Sequence, residues 1–272
     1  DYLAPDALQK RPEADDGALY KLAWSLGVDR RFGGFRAYSA NLVAEPAPLH
    51  AAILELHRAA GRSTRFVSFG KESPYPLLER DLERAASVVP EAHARVLGRL
   101  VREIVEARRW VDLAFRKVPL EERVAASDRI DAGAESVDAL EYPHVFDDVA
   151  RSWDEASLWY ASLRCVQALD EARQDLAALP PPPSFAFDWR TPFGWIRIRG
   201  SGDDAIDGAE ALLVVDLGGN DRHAGAATAH ATHPIALALD LSGDDVWEGG
   251  GGARCGVAVL LDAAGDDAYA AE

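Results

Sequence analysis

The sequence predicts an α+β protein. It reads as a mainly helical domain over residues 1–179, a proline spacer at 180–184, and a β-solenoid resembling a parallel β-helix over 185–272. Three observations carry this expectation. The segments 216–223 (DLGGNDRH), 240–247 (DLSGDDVW) and 262–269 (DAAGDDAY) align without gaps, each behind a short apolar run (ALLVV, IALAL, VAVLL). A degraded copy begins at Gly202-Asp203-Asp204, and the glycines Gly202, Gly219, Gly243 and Gly265 stand 17, 24 and 22 residues apart. One strand and one Gly-Asp turn per roughly twenty residues, in about four units, is the pattern of stacked repeats. Ahead of the repeat lie apolar residues at helical spacing, and between the two stand the consecutive prolines Pro180, Pro181, Pro182 and Pro183, a stiff extended spacer.

In chain order, helices are expected over 16–26, 49–60 (entered through Pro46 and Pro48, stopped by Gly61), 77–87, 90–117 and 145–179, with a short alternating strand at 64–69. The clearest is 90–117. Pro90 suits a first turn whose N–H groups have no partner, and Val96, Leu97, Leu100, Val101, Ile104, Val105, Val111 and Phe115 recur at three- and four-residue steps. In 145–179 the stripe runs Val149, Trp153, Ala156, Tyr160, Leu163, Val166, Leu169. Strands at 185–189 and 191–198 open the repeat region, with Trp189, Phe193 and Trp195 capping it against the helices.

Charge and composition narrow the function classes. The net charge is −16, and residues 185–272 carry 15 acidic side chains against 5 arginines and no lysine. Such a face repels phosphate backbones and suits cations or basic partners, so no nucleic acid is expected. The apolar runs are far shorter than the ~20 residues of a membrane span. Cys165 and Cys255 have no C-x-x-C spacing; they either form one disulfide joining the two parts or remain two buried thiols.

The chemistry lies in the repeat. Stacked units place equivalent residues about 4.8 Å apart. That predicts carboxylate columns Asp216/Asp240/Asp262 and Asp221/Asp245/Asp267, with Asn220/Asp244/Asp266 as a partial third. Like charges at such spacing repel by roughly 1 kcal/mol in water and more where solvent is excluded. Calcium, which takes six to eight oxygen ligands, offsets this, and Asp216, Asp221, Asp240, Asp244, Asp245, Asp262, Asp266 and Asp267 are the expected ligands. The competing reading is that the same aspartates form Asx-turns, accepting from backbone N–H groups two residues on, with no metal. His223, His230 and His233 fall within eleven residues and offer a transition-metal set if a bend at Pro234 brings them together.

The turns GGNDRH, SGDDVW and AGDDAY resemble the Gly-x-Asp-x-hydrophobic half of the calcium-binding RTX nonapeptide. That resemblance implies calcium ligation by Asp221, Asp245 and Asp267, and inward side chains at His223, Trp247 and Tyr269. It departs at Asp216, Asp240 and Asp262, which replace the first glycine, and in a period of 22–24 instead of nine or its double. A closer resemblance is to uncharacterised bacterial β-solenoid proteins built on Asp-x-x-Gly-Asp-Asp-x-Tyr repeats; it covers about 80 residues and implies an architecture without an activity.

No Walker loop, Rossmann fingerprint, nucleophile elbow or local Ser/His/Asp signature is present, so catalytic residues are unassigned. The leading expectation is a non-enzymatic binding or scaffold protein with a cation-stabilised acidic repeat, secreted or periplasmic; a cytoplasmic location stays open. The alternatives are a polysaccharide lyase or hydrolase using the Asp columns with His230 or His233 as base, and a helical ligand-binding module on a stalk. The last unit ends near the end of the sequence, so a protein partner or further chain is expected to cover its edge.

Overall fold

The computed structural model describes residues 49–60, 76–133 and 152–270. The helix expected at 16–26 and the strand at 64–69 lie outside the described residues. The helices are α1 (Leu49–Ala60), α2 (Pro76–Ala86), α3 (Glu91–Ala114), α4 (Leu120–Gly133) and α5 (Glu155–Ala177). In α3 the apolar stripe from Val96 to Val111 is buried as its spacing requires. α5 is the described part of the helix expected over 145–179 and is entered at Asp154, which caps it; residues 145–151 lie outside the described residues. The Asp154 carboxylate accepts from the Ser157 N–H at 3.3 Å and from the Ser157 hydroxyl at 2.7 Å. α4, with only a short apolar stripe, was not expected.

α3 lies between α1 and α5. Inside the α3–α5 contact Glu103 and Arg164 form an ion pair with both side chains more than nine-tenths buried. Removing one member of a buried pair leaves the other uncompensated. Arg164→Leu, which leaves the buried Glu103 carboxylate without its guanidinium, is therefore expected to lower the unfolding free energy by about 3 kcal/mol or more, read from the urea midpoint at constant m-value. A change below 1 kcal/mol would show the pair to be energetically idle.

The strands alternate between two sheets. The larger has the order β1 (Ala186–Thr191), β2 (Gly194–Arg199), β4 (Ala211–Asp216), β6 (Ile235–Asp240), β8 (Val257–Asp262). It is mixed: β1 and β2 form an antiparallel hairpin, and the later pairs are parallel. The smaller is wholly parallel and has the order β3 (Ala205–Asp207), β5 (Arg222–Ala224), β7 (Val246–Glu248), β9 (Ala268–Ala270).

This corrects the expected architecture. In place of a helical domain followed by a β-solenoid, the chain is an α+β fold with one mixed and one parallel sheet, and helices cover the larger sheet. α5 packs on β6 and β8, and α1 and α2 pack on β1. Leu97 and Leu169 of the helices share one buried cluster with Ile196, Leu213, Val215, Leu237, Leu239 and Val257 of the strands. The opposite face of the same strands, Val214 and Ala238, packs with Ile206 and Trp247 of the small sheet. The physical reason was visible in β4 and β6, which are apolar without alternation and buried at every position. A strand buried on both faces needs a layer on each. Here the helices supply one and the small sheet the other.

Further contacts tie helices to strands. The Trp189 indole N–H donates to His57 Nε2 at 3.1 Å, the Arg108 guanidinium lies 4.6 Å from the Phe193 ring centroid, and the Ser127 hydroxyl donates to the Arg254 carbonyl at 3.4 Å. Cys165 and Cys255 are free thiols; burial pushes Cys165 up to about 12. No described helix is long and apolar enough to cross a membrane.

Candidate metal centre

Each strand of the large sheet from β2 onward runs through a Gly-Asp turn into a strand of the small sheet: β2 into β3, β4 into β5, β6 into β7 and β8 into β9. Parallel pairing keeps these turns in register, so Asp216, Asp240 and Asp262 are direct neighbours at the strand ends. The second column is held by side chain to backbone bonds between layers. Asp221 Oδ1 accepts from the Asp204 N–H, Asp245 Oδ1 from the Asp221 N–H at 2.6 Å, and Asp267 Oδ1 from the Asp245 N–H at 2.9 Å.

The third column forms a separate, exposed ladder. Asp203, Asn220 and Asp244 accept in turn from the backbone N–H groups of Asn220, Asp244 and Asp266 at 2.9–3.0 Å. Asp244 and Asp266 therefore stand outside the buried cluster, because adjacent residues of an extended turn point to opposite sides.

The Asx-turn reading describes half of the first column. Asp216 Oδ1 accepts from the Gly218 N–H at 3.1 Å, and Asp240 Oδ1 from the Ser242 N–H at 2.8 Å. The other oxygens are left over. Oδ2 of Asp216, Asp221, Asp240 and Asp245 are all buried without a hydrogen-bond partner, as are both ring nitrogens of His223. Asp216, His223 and Asp240 are fully buried. Buried polar atoms normally find partners, so six in one place are exceptional.

These atoms fall into two overlapping groups able to hold an ion. One is Asp221, Asp240 and Asp245, all oxygen donors; the other is Asp216, His223 and Asp240. His223 Nε2 lies 3.4 Å from Asp240 Oδ2 and 3.9 Å from Asp216 Oδ2. Its ring is fixed by stacking on Trp247, with centroids 3.8 Å apart and planes 8° from parallel. That stack follows from the register Ile206, His223, Trp247, Tyr269 down the small sheet.

Electrostatics follow burial. Asp216 is pushed up to about 9, first by burial and then by the neighbouring Asp221 charge. Burial likewise raises Asp245 to about 7, Asp240 to about 6, and Asp221 in the same direction. Burial lowers His223, against the pull of the surrounding carboxylates, and so favours a neutral imidazole.

Beyond the two ends of the first column the chain supplies polar groups of its own. Arg199 is in register with Asp216 and stands five residues before Asp204, as Asp216 stands before Asp221. Its guanidinium lies 3.9 Å from Asp204 and 3.1 Å from Asp188. At the other end the Tyr269 hydroxyl donates to Asp262 Oδ2 at 2.6 Å. The residues on which charge reading had focused thus divide. Asp216, Asp221, Asp240, Asp245 and His223 converge, whereas Asp262 and Asp267 lie in the more exposed last layer.

His230 and His233 are brought together, as the bend at Pro234 allows, but by a tight turn of their own. Each backbone N–H donates to the other's carbonyl, and the Thr232 hydroxyl lies 2.9 Å and 3.2 Å from their Nδ1 atoms. His223 groups with the carboxylates and not with this pair. Sequence reasoning missed Arg199 and the pairing of His223 with the Asp columns; extending the repeat alignment one unit upstream finds the former.

No family model matches the chain, and neither the curated proteins nor the solved structures compared with it provide a match. What the chain binds has to be read from the site itself.

Proposed function

We propose that this is a non-enzymatic binding or scaffold protein whose two sheets are joined through a bound cation, calcium in the first instance, at the buried turn carboxylates. One observation carries the reading: four buried aspartates each commit one oxygen to a backbone N–H and turn the other into a shared interior, where the carboxyls face one another in the pairs Asp216–Asp221 and Asp240–Asp245 and, among the described residues, meet no basic side chain but His223. Tyr269 supports it, because its hydroxyl donates to Asp262 at the outer end of the column, whereas the second oxygens of Asp216 and Asp240 meet no such donor among the described residues. Asp221, Asp240 and Asp245 give the all-oxygen set that calcium favours. Repetition of the same residues in successive layers suits a structural ion better than a single reacting centre.

Partner binding belongs to the same reading. β8 and β9 are edge strands, and Tyr269 at that edge is 60% exposed. A protein partner or further chain that pairs with this edge would satisfy the free backbone groups.

Thermal unfolding tests the cation. Calcium at about 1,000 times its Kd stabilises a one-site protein by about 4 kcal/mol, so chelation is expected to lower Tm by about 10 °C. Identical melting curves with chelator and with millimolar calcium would overturn the proposal.

A further inference from the structure

We infer that Asp216, His223 and Asp240 form a second kind of site in this cluster, one that takes a first-row divalent transition metal of the zinc class. The inference shares Asp240 with the calcium reading but rests on a different donor.

In the small-sheet column, layers supply Ile206, His223, Trp247 and Tyr269 in turn. His223 alone places an imidazole over the carboxylates, between the two layers whose first-column aspartates are fully buried. Both its nitrogens lack hydrogen-bond partners although the residue is wholly buried. A histidine with a purely packing role would direct at least one nitrogen to a backbone group. Here Nε2 is turned to the orphaned oxygens of Asp240 and Asp216, at 3.4 and 3.9 Å. Ligand atoms bound at the ~2.0–2.1 Å of zinc lie roughly 3.4 Å apart around a tetrahedron, close to the shorter spacing. Calcium makes little use of imidazole, whereas zinc and its neighbours favour it together with carboxylate. The stack on Trp247 holds the ring in this orientation before any ion arrives.

The test uses the full chain, unfolded in denaturant with chelator, dialysed and refolded, with cobalt(II) as the probe. One equivalent of cobalt is expected to bind and develop visible ligand-field absorption, and X-ray absorption of the loaded wild-type protein is expected to show imidazole scattering. His223→Phe, which keeps an aromatic ring on Trp247, is expected to weaken cobalt binding at least about 100-fold while the calcium-dependent rise in Tm persists. Asp216→Asn keeps the oxygen that holds the turn and is expected to weaken cobalt comparably. Unchanged cobalt affinity in a folded His223→Phe, or no imidazole scattering in wild type, overturns the inference. If calcium raises Tm but cobalt does not bind, this inference fails and the calcium reading survives. If cobalt binds through His223 and calcium has no effect, the calcium reading fails and this one stands.

Discussion

Gly243→Ala is expected to destabilise the protein by on the order of 5 kcal/mol or more, and to keep much of it from folding at 37 °C. Gly243 has φ +156°, and a Cβ placed there would lie 1.8 Å from the Gly219 carbonyl oxygen, with the Asp245 carboxylate oxygens at 2.8 and 3.0 Å. Backbone cannot yield as a flexible side chain does. Relief therefore means separating two layers that are joined by the Asp221 N–H to Asp245 bond and by strand pairing on either side. The neighbouring layer is built the same way, since a Cβ at Gly265 would lie 1.7 Å from the Gly243 carbonyl. The contact brings successive turns together and so sets the spacing of the carboxylates. Gly251, which has nothing within 4 Å of its Cβ direction, serves as control. Its positive φ of 69° is expected to cost alanine only about 1 kcal/mol. Equal denaturation midpoints for Gly243→Ala and Gly251→Ala would refute the close-approach argument.

In cation-free buffer, stability is expected to fall as pH rises from 5 to 9, by on the order of 5 kcal/mol, and saturating calcium is expected to remove most of that fall. The sign follows from the direction of the shifts. Asp240, Asp245 and Asp216 are raised from an ordinary value of 3.8 to about 6, about 7 and about 9. A carboxyl that holds its proton more tightly when folded contributes stability that is complete below its unfolded value and is lost as pH climbs through the folded one. The losses therefore fall in succession between about pH 4 and pH 9, opposite to the ordinary salt-bridged aspartate. A bound cation replaces the protons, so calcium uptake near pH 6 is expected to release them. Melting temperatures at pH 5, 7 and 9, each with chelator and with calcium, read both effects. A chelator series that is flat or rises with pH would contradict this account of the buried carboxyls.

Some of this was legible in the chain. The apolar spacing from Val96 to Val111 dictated α3, because at helical pitch it lines up the side chains that the neighbouring helices cover. The gapless Asp-x-x-Gly repeat dictated which aspartates become neighbours, because parallel pairing in register carries equal positions to equal places. The cap at Asp154 that opens α5 was not legible in the apolar spacing, because a cap is a local hydrogen bond and not a periodicity. Asp244 and Asp266 were read as calcium ligands from their column in the repeat, yet the Asp244 carboxylate accepts from the Asp266 N–H in the outer ladder.

The sequence by itself determined the composition of the site: repeated aspartates at turn positions, with an imidazole in one copy and an arginine ahead of them. Only the tertiary structure decided how deeply they lie and which oxygens remain unpartnered. Burial is a property of layers, and β4 and β6 became interior only when helices covered one face and the small sheet the other. Closing those layers turned a row of turn carboxylates into a desolvated cluster with His223 over it. Solvent exclusion, which no local pattern records, raises the cost of their charge.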